Sequence, residues 1–308
     1  MTRELKRAAR RVVKNYAAVK QGEKVLIIVD EPLRTIGYLL WQEARKIRAE
    51  VLLVEITPEE PSPALIPLMK YMDVILVTTS KPLPHIGEAS QARIISCAGI
   101  TPDIMRRSVN INHRKIVERS RKLADIFTIA RTANLTTPAG TDLVIPLANS
   151  RGLADTGIAH HPGDLSNLPA GEACVAPVEG KTQGVMVVDG SVGDIGLVKT
   201  PIKMIVKDGF ATRIIGGEEA QIIRRLIRPF GRPARNIAEL GIGTNHKAKL
   251  CGNILEDKKV LGTVHIAIGD NSLLGGKISV PVHLDCVLLK PTLIVDGRKI
   301  LERGRLVG

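Results

Sequence analysis

The run PVHLDCVLL contains the sharpest chemical pattern in the sequence. Residues two apart in a strand point to the same face, so the imidazole of His283 and the carboxylate of Asp285 would project together. Between Val, Leu and Cys, such a pair is costly to leave unpartnered. A divalent cation satisfies both at once, because it accepts neutral imidazole nitrogen and carboxylate oxygen. A hydrogen-bonded His–Asp pair facing water is the simpler alternative. Three further groups lie inside apolar strings: His265 in LGTVHIAIGDN, Glu172 after the turn residues of NLPAGEACVAP, and Glu239 in IAELGIGTN. A lone strand histidine is commonly a satisfied core residue, whereas buried glutamate is uncommon without a partner.

Two histidines and three carboxylates suit two chemistries. In a two-metal hydrolytic site, a carboxylate bridges the ions, which acidify a bound water and polarise a scissile carbonyl. In a one-metal site, His265, His283 and Asp285 would form the two-histidine, one-carboxylate face of non-haem Fe(II) oxygenases. Glu172 and Glu239 would then support the ligands or move protons. His160 and His161, in the loop IAHHPGD shortly before Glu172, are either substrate contacts or ordinary exposed loop residues. His246 reads as surface, Cys174 and Cys286 as small buried thiols, and Asp189 and Asp296 as turn formers.

The elements that must position these groups fall into two kinds. Over the first ~130 residues, apolar runs at Val25–Val29, Val51–Ile56, Val74–Thr78 and Arg93–Cys97 alternate with helical patterns near Thr35–Ile47, Ala64–Lys70 and His113–Asp125. That alternation predicts a parallel α/β sheet covered on both faces. It is Rossmann-like in layout but lacks a nucleotide fingerprint: DEPLRT after the first strand has no glycine, and no GxxxxGK[ST] occurs. The opening segment, with Leu5, Ala8, Ala9, Val12, Val13 and Tyr16 at helical spacing, reads as the first helix of the fold. Later, glycine becomes frequent and Asp-Gly pairs appear at Asp189-Gly190, Asp208-Gly209 and Asp296-Gly297, the signature of tight hairpins. The expected division is an α/β domain over 1–130 and a β-rich α+β domain over 131–308 that carries the site.

The chain has 308 residues, 44 Lys+Arg against 31 Asp+Glu, and a formal charge of +13. Such a charge brings nucleic acid into consideration. Only seven side chains are aromatic, which argues against the stacking surfaces of single-strand binders. The basic clusters at Lys6–Arg11, Arg45–Arg48 and Arg114–Lys122 fall on expected helices as solvated faces. No apolar run approaches the roughly 18 residues of a membrane span. The four cysteines lie far apart with no CxxC spacing, so reduced thiols and a cytoplasmic protein are expected.

The series GTDL (Gly140–Leu143), NLPAGE (Asn167–Glu172), ELGIGTN (Glu239–Asn245), GTVHIAIGDN (Gly262–Asn271) and HLD (His283–Asp285) with PTLIVDG (Pro291–Gly297) resembles the aminopeptidase T family over about residues 130–308. That resemblance implies a cytoplasmic, homodimeric metallo-aminopeptidase, a hydrolase engaged in proteolysis of peptide substrates. Glu172, Glu239, His265, His283 and Asp285 fall on the family's metal-ligand positions, with Glu172 and Glu239 also catalytic, and two ions (Zn, Co or Mn) are implied. The peptidases carry a functional tyrosine after the histidine of the HIA motif. Here that stretch is GDNSLLGGK, leaving Asn271 or Ser272 as substitutes. The same superfamily includes a dihydroxypyridine ring-opening dioxygenase with a single Fe(II), the alternative reading. A non-catalytic metal- or nucleic-acid-binding protein is a third, favoured by charge alone.

Overall fold

Short Val/Ile/Leu-rich runs become the strands of a parallel sheet in the computed structural model of the chain, which describes residues 2–57, 62–83, 86 and 91–307. Their order is Glu50–Glu55, Lys24–Val29, Val74–Thr78, Arg93–Ser96, with a fifth parallel strand, Leu165–Asn167, at the edge. Alternation along Lys24–Val29 sends Leu26 and Ile28 into a cluster with Leu65, Met69, Ile75 and Val77. Val25, Ile27 and Val29 face the opposite side and are equally buried. Burial on both faces is why these strands read as unbroken apolar runs. The first helix spans Arg3–Arg11 and continues into a wider turn, Val12–Tyr16, with Leu5, Ala8, Ala9, Val12, Val13 and Tyr16 all buried.

The antiparallel part consists of two sheets. One has eight strands, ordered Phe210–Ile215, Ile202–Lys207, Gln183–Val188, Asp142–Pro146, Thr132–Thr136, Thr292–Val295, Arg298–Glu302 and Arg305–Leu306. The other has seven: Gly196–Leu197, Ser191–Val192, His283–Leu288, Val264–Gly269, Ile237–Gly243, Glu172–Val175 and Leu153–Asp155. Leu143, Met186 and Met204 of the first sheet share a core with Val175, Leu240 and Ile266 of the second. The chain is thus an α/β fold with a parallel-sheet region and a β-rich region.

Two expectations need correction. Asp208-Gly209 and Asp296-Gly297 do form hairpin turns, with positive φ at all four residues. Asp189-Gly190 does not: Gln183–Val188 pairs in the eight-stranded sheet and Ser191–Val192 in the seven-stranded one. Asp189 is spent on the crossing, its Oδ1 accepting from the Leu289 N–H at 2.9 Å.

Nor does a single cut at residue 130 describe the compact units. One comprises Met1–His113 with Asp155–Ala170, the other Arg114–Ala154 with Gly171–Gly308. The helix Arg114–Ile129 buries Leu123, Ala124 and Phe127 in the core of the second unit, while residues 155–170 return the strand Leu165–Asn167 to the first unit's sheet. An apolar stripe shows that a helix is covered, not by which core.

Candidate metal centre

Four neighbouring strands of the seven-stranded sheet build the site by alternation. Ala173 and Val175, Leu240 and Ile242, Val264 and Ile266, and Leu284 and Cys286 enter the core. The intervening Glu172, Glu239, His265, His283 and Asp285 therefore share the opposite face. Register then gathers them: Gly243 pairs with Glu172, Gly241 with His265, and Ala267 with both Glu239 and Asp285. Gly241 is needed for space. A Cβ there would lie 2.1 Å from His265 Nε2, so only glycine lets the imidazole lie across its neighbour strand.

The donors form two groups that share Glu239: Glu172, Glu239 and His265 in one, Glu239, His283 and Asp285 in the other. Within each, one donor atom per residue lies within 4.8 Å of the others. His265 Nε2 is 3.0 Å from Glu239 Oε1 and 3.3 Å from Glu172 Oε2. His283 Nε2 is 3.2 Å from Glu239 Oε2 and 3.6 Å from Asp285 Oδ1. The expected face of His265, His283 and Asp285 is thus divided, because the carboxylate of Glu239 stands between the imidazoles. Glu172, Glu239, His265 and Asp285 are buried, and the His283 side chain is one-third exposed.

Sequence reasoning missed Lys258 and Lys259. Lys259 Nζ is 2.6 Å from Glu172 Oε1, and Lys258 Nζ lies 3.6 Å from the same oxygen and 3.1 Å from Asp285 Oδ2. Both follow the short helix Ile254–Asp257, where EDKK reads as a solvated helix end. Burial alone would raise the carboxyl pKa values, but cations reverse it: Lys258 and Lys259 hold Glu172 below the usual range. For Glu239, Lys258 and the two imidazoles outweigh burial and hold it well below. Asp285 is likewise held low, by Lys258 and His283 against its burial. Lys258 is desolvated, yet Asp285, Glu172 and Glu239 raise its pKa well above the ordinary value.

These residues suit a divalent cation. His283 Nδ1 lies 2.8 Å from the Asp270 carbonyl oxygen, which can only accept. Nδ1 therefore carries hydrogen, and in the neutral ring Nε2 presents a lone pair to two carboxylate oxygens. Acceptors facing acceptors are reconciled either by a proton on Nε2 or by a metal cation between them. Against the effect of burial, Asp285 and Glu239 push the His283 pKa up to about 11, which shows how strongly positive charge is favoured there. Among the described residues, Glu172 Oε2, His265 Nδ1 and Asp285 Oδ1 are buried without a hydrogen-bond partner. Oxygen and imidazole donors with unspent lone pairs are the chemistry such ions take.

The remaining candidates have other work. His160 and His161 belong to the first unit, where both backbone N–H groups donate to Asp164 and His160 Nε2 lies 2.9 Å from the Asn15 carbonyl oxygen. Asn271 is buried with its amide used at both ends: Nδ2 donates to Glu179 and Oδ1 accepts from the Ile278 N–H. Ser272 Oγ is bonded to Asp270. His246 is exposed. Cys286 faces the core, whereas Cys174 lies on the site face, its thiol pKa raised by burial and by Glu239 and Glu172.

Fold and donor set together define a protein with a cluster of carboxylates and imidazoles that could hold a divalent cation. A family model described as NicX, 2,5-dihydroxypyridine 5,6-dioxygenase, matches residues 40–308, and the chain belongs to that family. A Pseudomonas putida 2,5-dihydroxypyridine 5,6-dioxygenase is 28% identical over 193 residues, which span 58% of this chain and 55% of that relative. The solved structure of 2,5-dihydroxypyridine dioxygenase from Pseudomonas putida KT2440 is similar at TM-score 0.84 and 21% identity, covering 99% of this chain and 97% of that one. Wild-type AmpT from Thermus thermophilus is similar at TM-score 0.75 and 18% identity, covering 99% of each chain. At those identities the two structures establish a shared fold, and the expected superfamily includes both. The aminopeptidase expectation, with its hydrolase and proteolysis vocabulary, is overturned by the family match and the P. putida relative. A fold shared at these identities is compatible with more than one reaction.

Proposed function

We propose that the chain is a ring-cleaving dioxygenase acting on a dihydroxylated pyridine, with one Fe(II) in the centre just described. The supporting observation is the match over residues 40–308, a span that contains all five donors. His283, Asp285 and Glu239 would hold the ion, and His265, on the other oxygen of Glu239, would hold that carboxylate in place. A bound ferrous ion supplies a route for electrons between an electron-rich ring and dioxygen.

Both atoms of dioxygen enter the product as the ring carbon–carbon bond breaks, and the ring supplies the electrons, so no external reductant is consumed. The chain's own groups hold and orient the ring. Lys258 and Lys259 keep Glu172 ionised, with its Oε2 3.3 Å from His265 Nε2. Lys258 places positive charge beside Asp285 Oδ2 and so keeps that carboxylate ionised. Burial of Glu172, Glu239 and His265 strengthens each of these interactions. Glu172 and Glu239 are the proposed proton-handling groups.

Among the described residues no helix is long and apolar enough to cross a membrane. A homodimer is proposed from the sequence resemblance, and a cytoplasmic location from four free thiols. The functional test uses protein purified anaerobically, loaded with Fe(II) and mixed with 2,5-dihydroxypyridine. Oxygen uptake equal to the loss of ring absorbance is expected. Absence of uptake by iron-loaded protein contradicts the reading.

A further inference from the structure

The two donor groups sharing Glu239 have the layout of a site for two ions with a bridging carboxylate. Their charges tell a different story. Lys259 Nζ sits 2.6 Å from Glu172 Oε1, and Lys258 Nζ reaches Glu172 Oε1 at 3.6 Å and Asp285 Oδ2 at 3.1 Å. The Lys259 side chain is 2% exposed and that of Lys258 18%, so neither is a surface lysine that has merely folded inward.

Their backbone is pinned as well. Asp257, immediately before them, accepts from the N–H groups of Cys251 at 2.7 Å and Gly252 at 3.0 Å. The Lys259 carbonyl accepts from the Asn245 N–H at 2.9 Å. The ammonium groups are therefore held in place by the loop that carries them, and cations buried this deeply persist only with carboxylate partners.

We propose that Lys258 and Lys259 stand in for a second metal ion and hold the centre to a single metal. Three carboxylates against two ammonium groups leave one net negative charge. One divalent ion brings the pocket to one net positive charge, which an anionic ring substrate can neutralise. A second ion would add two more positive charges beside Lys259, at the one carboxylate of its group that the lysines already engage. Lys259 thus fills the group with Glu172, and Lys258 spans the two groups through Glu172 Oε1 and Asp285 Oδ2, which leaves Asp285 Oδ1, Glu239 and His283 Nε2 for one ion.

This inference rests on the reading that the centre binds a metal, and the test separates the two. Full-length wild type, Lys258→Met, Lys259→Met, the double Met variant and Lys259→Arg are titrated anaerobically with Mn(II) and Fe(II). Bound metal is counted by elemental analysis, and the Mn(II) proteins are examined by electron paramagnetic resonance. Wild type and Lys259→Arg should take one equivalent with an uncoupled six-line signal. Each Met substitution should raise affinity for a second equivalent at least tenfold, and the double variant should show an exchange-coupled pair. Two equivalents or a coupled signal in wild type would overturn the proposal, even if no variant folds. One equivalent with unchanged affinity in a folded double variant would also overturn it, leaving the one-metal reading intact. No metal in wild type would overturn that reading too.

Discussion

At the scale of single residues, the centre depends on atoms with no slack. Gly241 faces His265 so closely that an added Cβ would fall 2.1 Å from Nε2. Gly241→Ala should cost about 1–3 kcal/mol of stability by overpacking and displace the imidazole. Thermal unfolding together with metal titration would show both effects, and a variant unchanged in both would contradict the placement of His265. Asp285→Asn keeps shape and removes charge. It should weaken metal binding at least about tenfold, measured by calorimetry on folded protein. The His283–Asp285 pair was legible in PVHLDCVLL because strand periodicity fixes which residues share a face. Glu172, Glu239 and His265 were legible as polar groups inside apolar strings. That Glu239 would stand between the imidazoles was not, since strand register is a tertiary property. Lys258 and Lys259 were invisible for a related reason: local sequence does not distinguish a lysine bound to buried carboxylates from one in water.

At the scale of elements, identical local signals had different outcomes. Asp296-Gly297 closes a hairpin, with φ of 46° and 81°. Open space surrounds the Gly297 Cα, so a side chain there meets only the backbone penalty of the left-handed region. Gly297→Ala should cost about 1 kcal/mol and Gly297→Asn less, because asparagine tolerates that region. Denaturant unfolding would check the order, and equal costs would contradict the turn geometry. Asp189-Gly190 has the same dipeptide, yet it carries the chain between sheets, a role set by where the following strand pairs. The parallel sheet was readable from its apolar runs except for its edge. Leu165–Asn167 is three residues long, too short for alternation to register.

At the scale of the whole molecule, buried thiols shape the alkaline limit of stability. Burial pushes Cys97 up to about 12 and also raises Cys174 and Cys286. Each thiol ionises more easily in the unfolded chain, near pH 8.5, so its contribution is complete below that pH and is lost as pH rises toward the folded value. Between about pH 9 and 12, Cys97 should cost about 1 kcal/mol of stability per pH unit. Cys97→Ala should make the alkaline fall in denaturant midpoint shallower, and an unchanged slope would contradict its burial. The charge of +13 has no counterpart in the candidate centre, where three carboxylates meet two lysines. The proposed chemistry rests on that local balance and on membership of the dioxygenase family. The most direct test of the central claim is turnover of 2,5-dihydroxypyridine by the Fe(II)-loaded protein under isotopically heavy dioxygen, with the product examined by mass spectrometry. Dioxygenase chemistry predicts two heavy oxygen atoms in the ring-opened product. A product carrying one heavy atom or none, or an intact ring after full metal loading, would contradict it.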